Sequence, residues 1–167
     1  MDIGIREYQP TDLSHFRKLA IEKSFQRSMA LPYSAEGEAW DHYISERQSD
    51  HSKILIILHQ DEFIGFITLK GGVIPEIYQL TYCIESQWQN KGFATSAIET
   101  CLPALFQGTS CMRLQAFVEP HNSASCRVLE KCGFTQEGLL RRSIKIEGKL
   151  VDAYLYALLK TDIDPPA

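Results

Sequence analysis

Apolar and polar positions alternate over residues 3–8, with Ile3 and Ile5 set against Gly4 and Arg6, so the chain opens on a short strand. Pro10-Thr11-Asp12 marks a turn, after which Leu13, Phe16, Leu19 and Ala20 recur at helical spacing. That spacing predicts an amphipathic helix from residue 11 to about 28, broken by Leu31-Pro32-Tyr33. Ala39, Trp40, Tyr43 and Ile44 predict a second helix to about residue 48. Residues 53–59 and 63–69 have strand character, and the polar trio Gln60-Asp61-Glu62 joins them as a hairpin. A strand over 76–85 follows Gly71-Gly72. Beyond a polar gap, Phe93, Ala94, Ala97, Ile98, Cys101, Leu102 and Leu105 outline a helix to about residue 106.

Residues 111–118 form a further strand, stopped by Pro120-His121-Asn122. Ala124, Val128, Leu129 and Cys132 share a helix that ends at Gly133. Residues 134–146 and 150–159 pair as a closing hairpin around Glu147-Gly148. The order βααβββαβαββ joins a meander to two helical crossovers, which predicts a mixed α/β (α+β) fold in one domain. That domain spans residues 1–163, and 164–167 are expected to be a disordered tail.

Composition narrows the classes. A chain of 167 residues suits one domain with its own core, and 44% hydrophobic with 23% charged residues excludes disordered, collagen-like and disulfide-scaffold chains. Seventeen basic residues against 21 acidic give a net charge of −4, where a duplex-binding protein usually carries a basic excess. No nucleic-acid partner is expected, although a small polyanion could find a local site. The N-terminus lacks the basic head and apolar run of a signal peptide, and the longest aliphatic run, 54–58, is far below the ~20 residues of a membrane helix. The expectation is a cytoplasmic protein with no membrane partner. Five cysteines (83, 101, 111, 126 and 132) include no C-x-x-C and five histidines no H-x-x-x-H, so reduced core thiols and no metal site are expected.

One segment carries chemistry. Gln89-Asn90-Lys91-Gly92-Phe93-Ala94-Thr95 lies between a strand and a helix and reads Q-x-x-G-x-A. The first N–H groups of a helix lack intrahelical acceptors and stand at the positive end of its dipole. Small residues at Gly92 and Ala94 let that backbone approach a pyrophosphate, and Lys91 adds a point charge. The bland alternative is a glycine that merely turns the chain. Neither G-x-x-x-x-G-K-[ST] nor G-x-G-x-x-G is present, which argues against a P-loop or a dinucleotide fold.

The Q-x-x-G-x-A loop resembles the coenzyme A pyrophosphate loop of the GNAT superfamily of N-acyltransferases. Residues 122–134, with Asn122, Ser125, Val128, Lys131 and Gly133-Phe134, look like that family's N-x-x-S-x-x-V-x-x-K-x-G-F helix. Glu137-Gly138, Leu140-Arg141, Gly148, Asp152 and Tyr156 continue in the pattern of the ribosomal-protein alanine/serine N-acetyltransferase branch. The resemblance covers residues 78–162 by motif and the rest by element order alone. It implies a central mixed, mostly antiparallel sheet of about seven strands flanked by about four helices.

It also implies roles. Tyr82, Cys83 and Ile84 would form a strand edge along which pantetheine lies, with a backbone N–H near Cys83 or Ile84 holding the oxyanion. Gln89, Asn90, Lys91, Gly92, Phe93, Ala94 and Thr95 would take the pyrophosphate, Asn122 the pantetheine, and Lys131 the nucleotide end. Ser125 would put a hydroxyl near the sulfur, because the tyrosine that many relatives carry four positions later is here Leu129. Its bland alternative is an ordinary first-turn serine. Glu85 is the foremost candidate base, ahead of Glu119, Glu76 and Glu147, each of which could equally be a solvated surface charge.

The reaction implied is acetyl transfer from acetyl-CoA to a primary amine, on a protein N-terminus or on a small amine or amino acid. A homodimer is common in such relatives. Two alternatives stand: a non-catalytic acyl-CoA-binding module, and a polyamine or antibiotic acetyltransferase. Tyr33, Trp40 and Tyr43 could line an acceptor pocket, though a core role is the simpler reading. Trp88 could stack on a ligand or pack over the root of the loop.

Overall fold

The computed structural model describes residues 2–21, 43–45, 47, 51–146 and 148–164. Strands β1 (Gly4–Glu7), β2 (Ser52–His59), β3 (Glu62–Gly71) and β4 (Ile77–Ile84) run as an antiparallel meander. Gln60 and Asp61, both at positive φ, close the β2–β3 hairpin in two residues, the turn geometry that matches strand twist. Beyond β4 come helix α2 (Phe93–Gly108), strand β5 (Arg113–Val118), helix α3 (Ser123–Lys131) and strand β6 (Thr135–Ile146).

 Strand β7 (Lys149–Leu159) lies between β5 and β6, and a single turn, α4 (Lys160–Ile163), follows it. The seven strands form one sheet in the order β1-β2-β3-β4-β5-β7-β6, as the resemblance implied.

Both faces of this sheet are covered. Ile57, Ile64, Ile67, Leu80 and Ile84 meet Ala97, Ile98, Leu105 and Leu129 from α2 and α3 on one face. Ile54, Ile56, Phe63, Phe66 and Cys83 meet Phe16 and Leu19 of α1 (Leu13–Ile21), with Tyr43 and Ile44, on the other. The alternation along β4 therefore sends Ile84 to one face and Cys83 to the opposite one.

Several boundaries differ from the periodicity. The first helix begins with a 3-10 turn, Pro10–Asp12, and is described only to Ile21. The remainder of that predicted helix, and most of the second one with Tyr33 and Trp40, lie outside the described residues, as do 165–167 of the expected tail. Helix α2 runs on to Gly108, and the Thr109 hydroxyl donates to the Leu105 carbonyl at 2.7 Å. Strand β5 starts at Arg113 because Cys111, although buried, sits in a turn where its N–H donates to Thr109 Oγ1.

The feature that positions the site is the end of strand pairing. β4 and β5 pair in parallel only at Ile77–Arg113, Tyr78–Leu114 and Gln79–Gln115, whereas β4 stays paired with β3 as far as Ile84 opposite Gly65. A Cβ on Gly65 would overlap the Cys83 carbonyl oxygen and come within 3.0 Å of Ile84 Cα. Glycine thus lets the end of β4 lie close against β3, on the side away from β5. Gly65→Ala is expected to lower stability by about 1–3 kcal/mol, the usual cost of overpacking, and Tm by roughly 3–8 °C in a thermal melt.

The start of the fold is fastened by an ion pair. Arg6 donates through Nη1 and Nη2 to both carboxylate oxygens of Asp12, each at 2.7 Å, and the Gln9 N–H adds a third bond at 2.8 Å. Bonding to Arg6 holds the Asp12 carboxyl below its ordinary value, although burial opposes this. The pair's stabilisation is therefore present above the ordinary carboxylate value of about 3.9 and is lost as pH falls through the lower native value. Arg6→Met should cost about 2 kcal/mol at pH 7, less than a fully buried pair because the Arg6 side chain keeps 35% exposure. Denaturant titrations of variant and parent should converge only as pH falls through that lowered native value, where Asp12 becomes neutral in the folded protein.

Candidate functional site

Where β4 and β5 separate, helices α2 and α3 border a cavity of about 450 Å³. Its lining gathers Tyr82, Cys83 and Ile84 from β4, the loop that opens α2, and Asn122 with Ser125 and Lys131 from α3. The residues singled out in the sequence at 82–85, 89–95, 122, 125 and 131 are thus brought to one place, with two exceptions. Lys91 is absent from the lining, and its ammonium lies 4.9 Å from the centroid of the Trp88 ring. Glu85 is absent too. The chain turns at Ser86–Trp88, and the Glu85 carboxylate accepts from Gln87 Nε2 at 3.2 Å.

The loop is built to present backbone. Asn90 and Gly92 both take positive φ, 59° and 85°, and Gly92 is the residue that caps α2. No side chain caps this helix, and its first intrahelical bond runs from the Ser96 N–H to the Gly92 carbonyl. The N–H groups of the first turn are consequently available to an anion. Gln89 anchors the loop by donating from Nε2 to the Ile84 carbonyl at 2.9 Å. Trp88 packs edge-on against Phe93 and His59 over the root of the loop and also lines the cavity.

Helix α3 is fixed at its start by Asn122, whose Oδ1 accepts from the Ser125 N–H at 3.1 Å. Ser125 Oγ and Tyr82 Oη stand 2.6 Å apart. Burial pushes the Tyr82 phenol above its ordinary value, so it remains neutral. Leu129, one turn past Ser125, is fully buried in the core. Arg127 lines the cavity beside Lys131, and sequence reasoning missed it. Its position one turn before Lys131 was the available signal, since residues four apart share a helix face.

These features fit a polyanion with a long polar arm. Exposed helix N–H groups and the cations Arg127 and Lys131 face the cavity, no carboxylate among the described residues lines it, and among those residues the β5 side of β4 is unpaired beyond Gln79. A larger hollow of about 740 Å³ includes Tyr8, Arg47, Lys53 and Tyr78, but it meets β4 at its start, where the strands remain paired and offer no open edge.

Comparison with known proteins agrees with this geometry. The family described as "Acetyltransferase (GNAT) domain" matches residues 2–135. The uncharacterized N-acetyltransferase p20 of Bacillus licheniformis is 34% identical over 113 residues, which span 65% of this chain and 61% of that protein's length. The L-amino acid N-acetyltransferase AaaT of Escherichia coli is 24% identical over 165 residues, 95% of this chain and 99% of that one. The Escherichia coli [ribosomal protein uS5]-alanine N-acetyltransferase is 31% identical over 109 residues, 64% of this chain and 56% of its own. Among solved structures, spermidine N-acetyltransferase from Vibrio cholerae, in complex with CoA and spermine, superposes with a TM-score of 0.84 at 21% identity over 96% of both chains. With four-stranded meander, splayed parallel pair and glycine-capped helix all in place, the chain belongs to the GNAT acetyltransferase family, as an N-acetyltransferase that uses acetyl-CoA.

Proposed function

We propose that the acceptor is the α-amino group of an L-amino acid or of a protein N-terminus. Two relatives motivate this choice: one is named for L-amino acids and the other for an alanine of ribosomal protein uS5, a residue whose only amine is its α-amine. The observation that carries the coenzyme half of the reading is the glycine-capped start of α2 at the cavity between β4 and β5. Bound acetyl-CoA supplies an acetyl group activated as a thioester.

In this reading the α2 N-terminus, Arg127 and Lys131 hold the phosphates, while the open edge of β4 at Tyr82–Ile84 takes the pantetheine amides. A backbone N–H near Cys83 or Ile84 steadies the oxyanion. Ser125 donates to the sulfur as the C–S bond breaks. The amine enters in its neutral form and passes its surplus proton to water, since Glu85 is engaged with Gln87 outside the cavity lining. A reducing compartment such as the cytoplasm suits the five unbridged thiols, four of them buried.

The test is thiol release from acetyl-CoA against L-amino acids, peptides with free Ala or Ser N-termini, and spermidine. Turnover is expected with the first two classes, and turnover with spermidine alone would overturn the acceptor assignment. Gly92→Val should weaken coenzyme A binding by roughly tenfold or more in calorimetry, because a β-branched residue resists the left-handed backbone that presents the loop. Ser125→Ala should lower kcat by about 10- to 100-fold with little change in coenzyme affinity. Equal losses in both would make Ser125 a structural residue.

A further inference from the structure

A serine in the first turn of a helix ordinarily satisfies its hydroxyl on nearby backbone. Ser125 differs. Its Oγ lies 2.6 Å from the phenol oxygen of Tyr82, a residue 43 positions away on β4, and that phenol is also 3.3 Å from the Ser125 carbonyl oxygen. The backbone of Ser125 is pinned separately by Asn122. Tyr82 in turn packs against the α2-side core, so neither partner is a freely rotating surface group.

Two hydroxyls at this distance have two proton arrangements. In one, Ser125 donates to Tyr82 and the phenol donates to the Ser125 carbonyl, which leaves no hydroxyl proton for the cavity. In the other, Tyr82 donates to Ser125 Oγ, and the serine proton is directed elsewhere. Because Ser125 lines the coenzyme cavity, only the second arrangement equips it to meet a sulfur. The geometry points to Tyr82 as a positioning residue that orients Ser125 as the hydrogen-bond donor to the coenzyme sulfur. This rests on the coenzyme site proposed above.

The relative acidities decide what the pair can do. A thiol near 8.5 is a stronger acid than an ordinary tyrosine near 10 by a factor of about 30, and burial makes the Tyr82 phenol weaker still. The groups that act on this phenol besides Ser125 are the thiols of Cys132 and Cys126. Neither hydroxyl therefore gives its proton away. The amine nitrogen forms its bond to the acetyl carbon, the C–S pair passes to sulfur, and the resulting thiolate is held by Ser125 Oγ–H. The amine's lost proton reaches the thiol through water, so Tyr82 and Ser125 end the cycle as they began.

The test needs no amine. Ionisation of bound coenzyme A can be followed by thiolate absorbance near 240 nm, with desulfo-coenzyme A as the blank. The bound thiol of the parent should titrate below free coenzyme A, and both Tyr82→Phe and Ser125→Ala should raise it by roughly 0.5–1 unit. The double variant should match Ser125→Ala alone, because Tyr82 acts through the serine. Calorimetric affinity for coenzyme A should change less than about threefold in Tyr82→Phe. 3-Fluorotyrosine at position 82, a stronger donor of nearly the same shape, should lower the bound thiol's value and keeps the test available if Tyr82→Phe fails to fold. An unchanged thiol in Tyr82→Phe or in the fluorotyrosine protein, or independent effects that add in the double variant, would overturn the inference. Failure of the parent to bind coenzyme A would instead remove the site on which it rests.

Discussion

Everything at this site depends on two parallel strands that stop pairing. β4 and β5 share three residue pairs and then part, while β4 continues against β3 to Ile84. A separated parallel pair leaves backbone donors and acceptors unpaired inside a fold, which is costly unless something else satisfies them. Among the described residues, Gln89 meets one such group by donating to the Ile84 carbonyl. A ligand with amide groups can meet others. Because α2 begins beside the same opening, one geometric event supplies both an edge for an extended arm and a set of helix N–H groups for its phosphates.

The chemistry follows from which residues surround that opening. Positive side chains from α3, with the free N–H groups at the start of α2, suit a polyanion although the whole chain is acidic, since binding responds to local rather than net charge. Orientation comes from the neighbouring elements: Asn122 pins the first turn of α3. Tyr156 reaches from β7 to donate toward Glu130 and Gln136, at 3.1 and 3.0 Å, where α3 meets the closing hairpin.

Much of this was legible in the sequence because it is local. Period-two and helical patterns located the strands and helices, and the spacing of Gln89, Gly92 and Ala94 marked the loop from its immediate context. What escaped depends on contacts between distant segments. The meeting of Tyr82 and Ser125 requires the register of β4 and the placement of α3, neither of which any window of sequence contains. The tight turn after β4, which sets the Glu85 carboxylate 3.2 Å from Gln87 Nε2 and outside the cavity lining, is likewise invisible to periodicity. Cys111 looked like strand because it is apolar, whereas its burial serves a turn.

The buried thiols have a consequence for an enzyme whose product is itself a thiol. Burial pushes Cys101 and Cys111 up to about 11 and Cys132, whose sulfur approaches the Thr95 carbonyl beside the cavity, up to about 12. At neutral pH their thiolate fractions are on the order of one in ten thousand or lower. Thiol–disulfide exchange proceeds by attack of a thiolate on a disulfide, so these three cysteines are poor partners for coenzyme A disulfide. The packing that builds the core thereby also shields these three cysteines from capping by the oxidised form of the product.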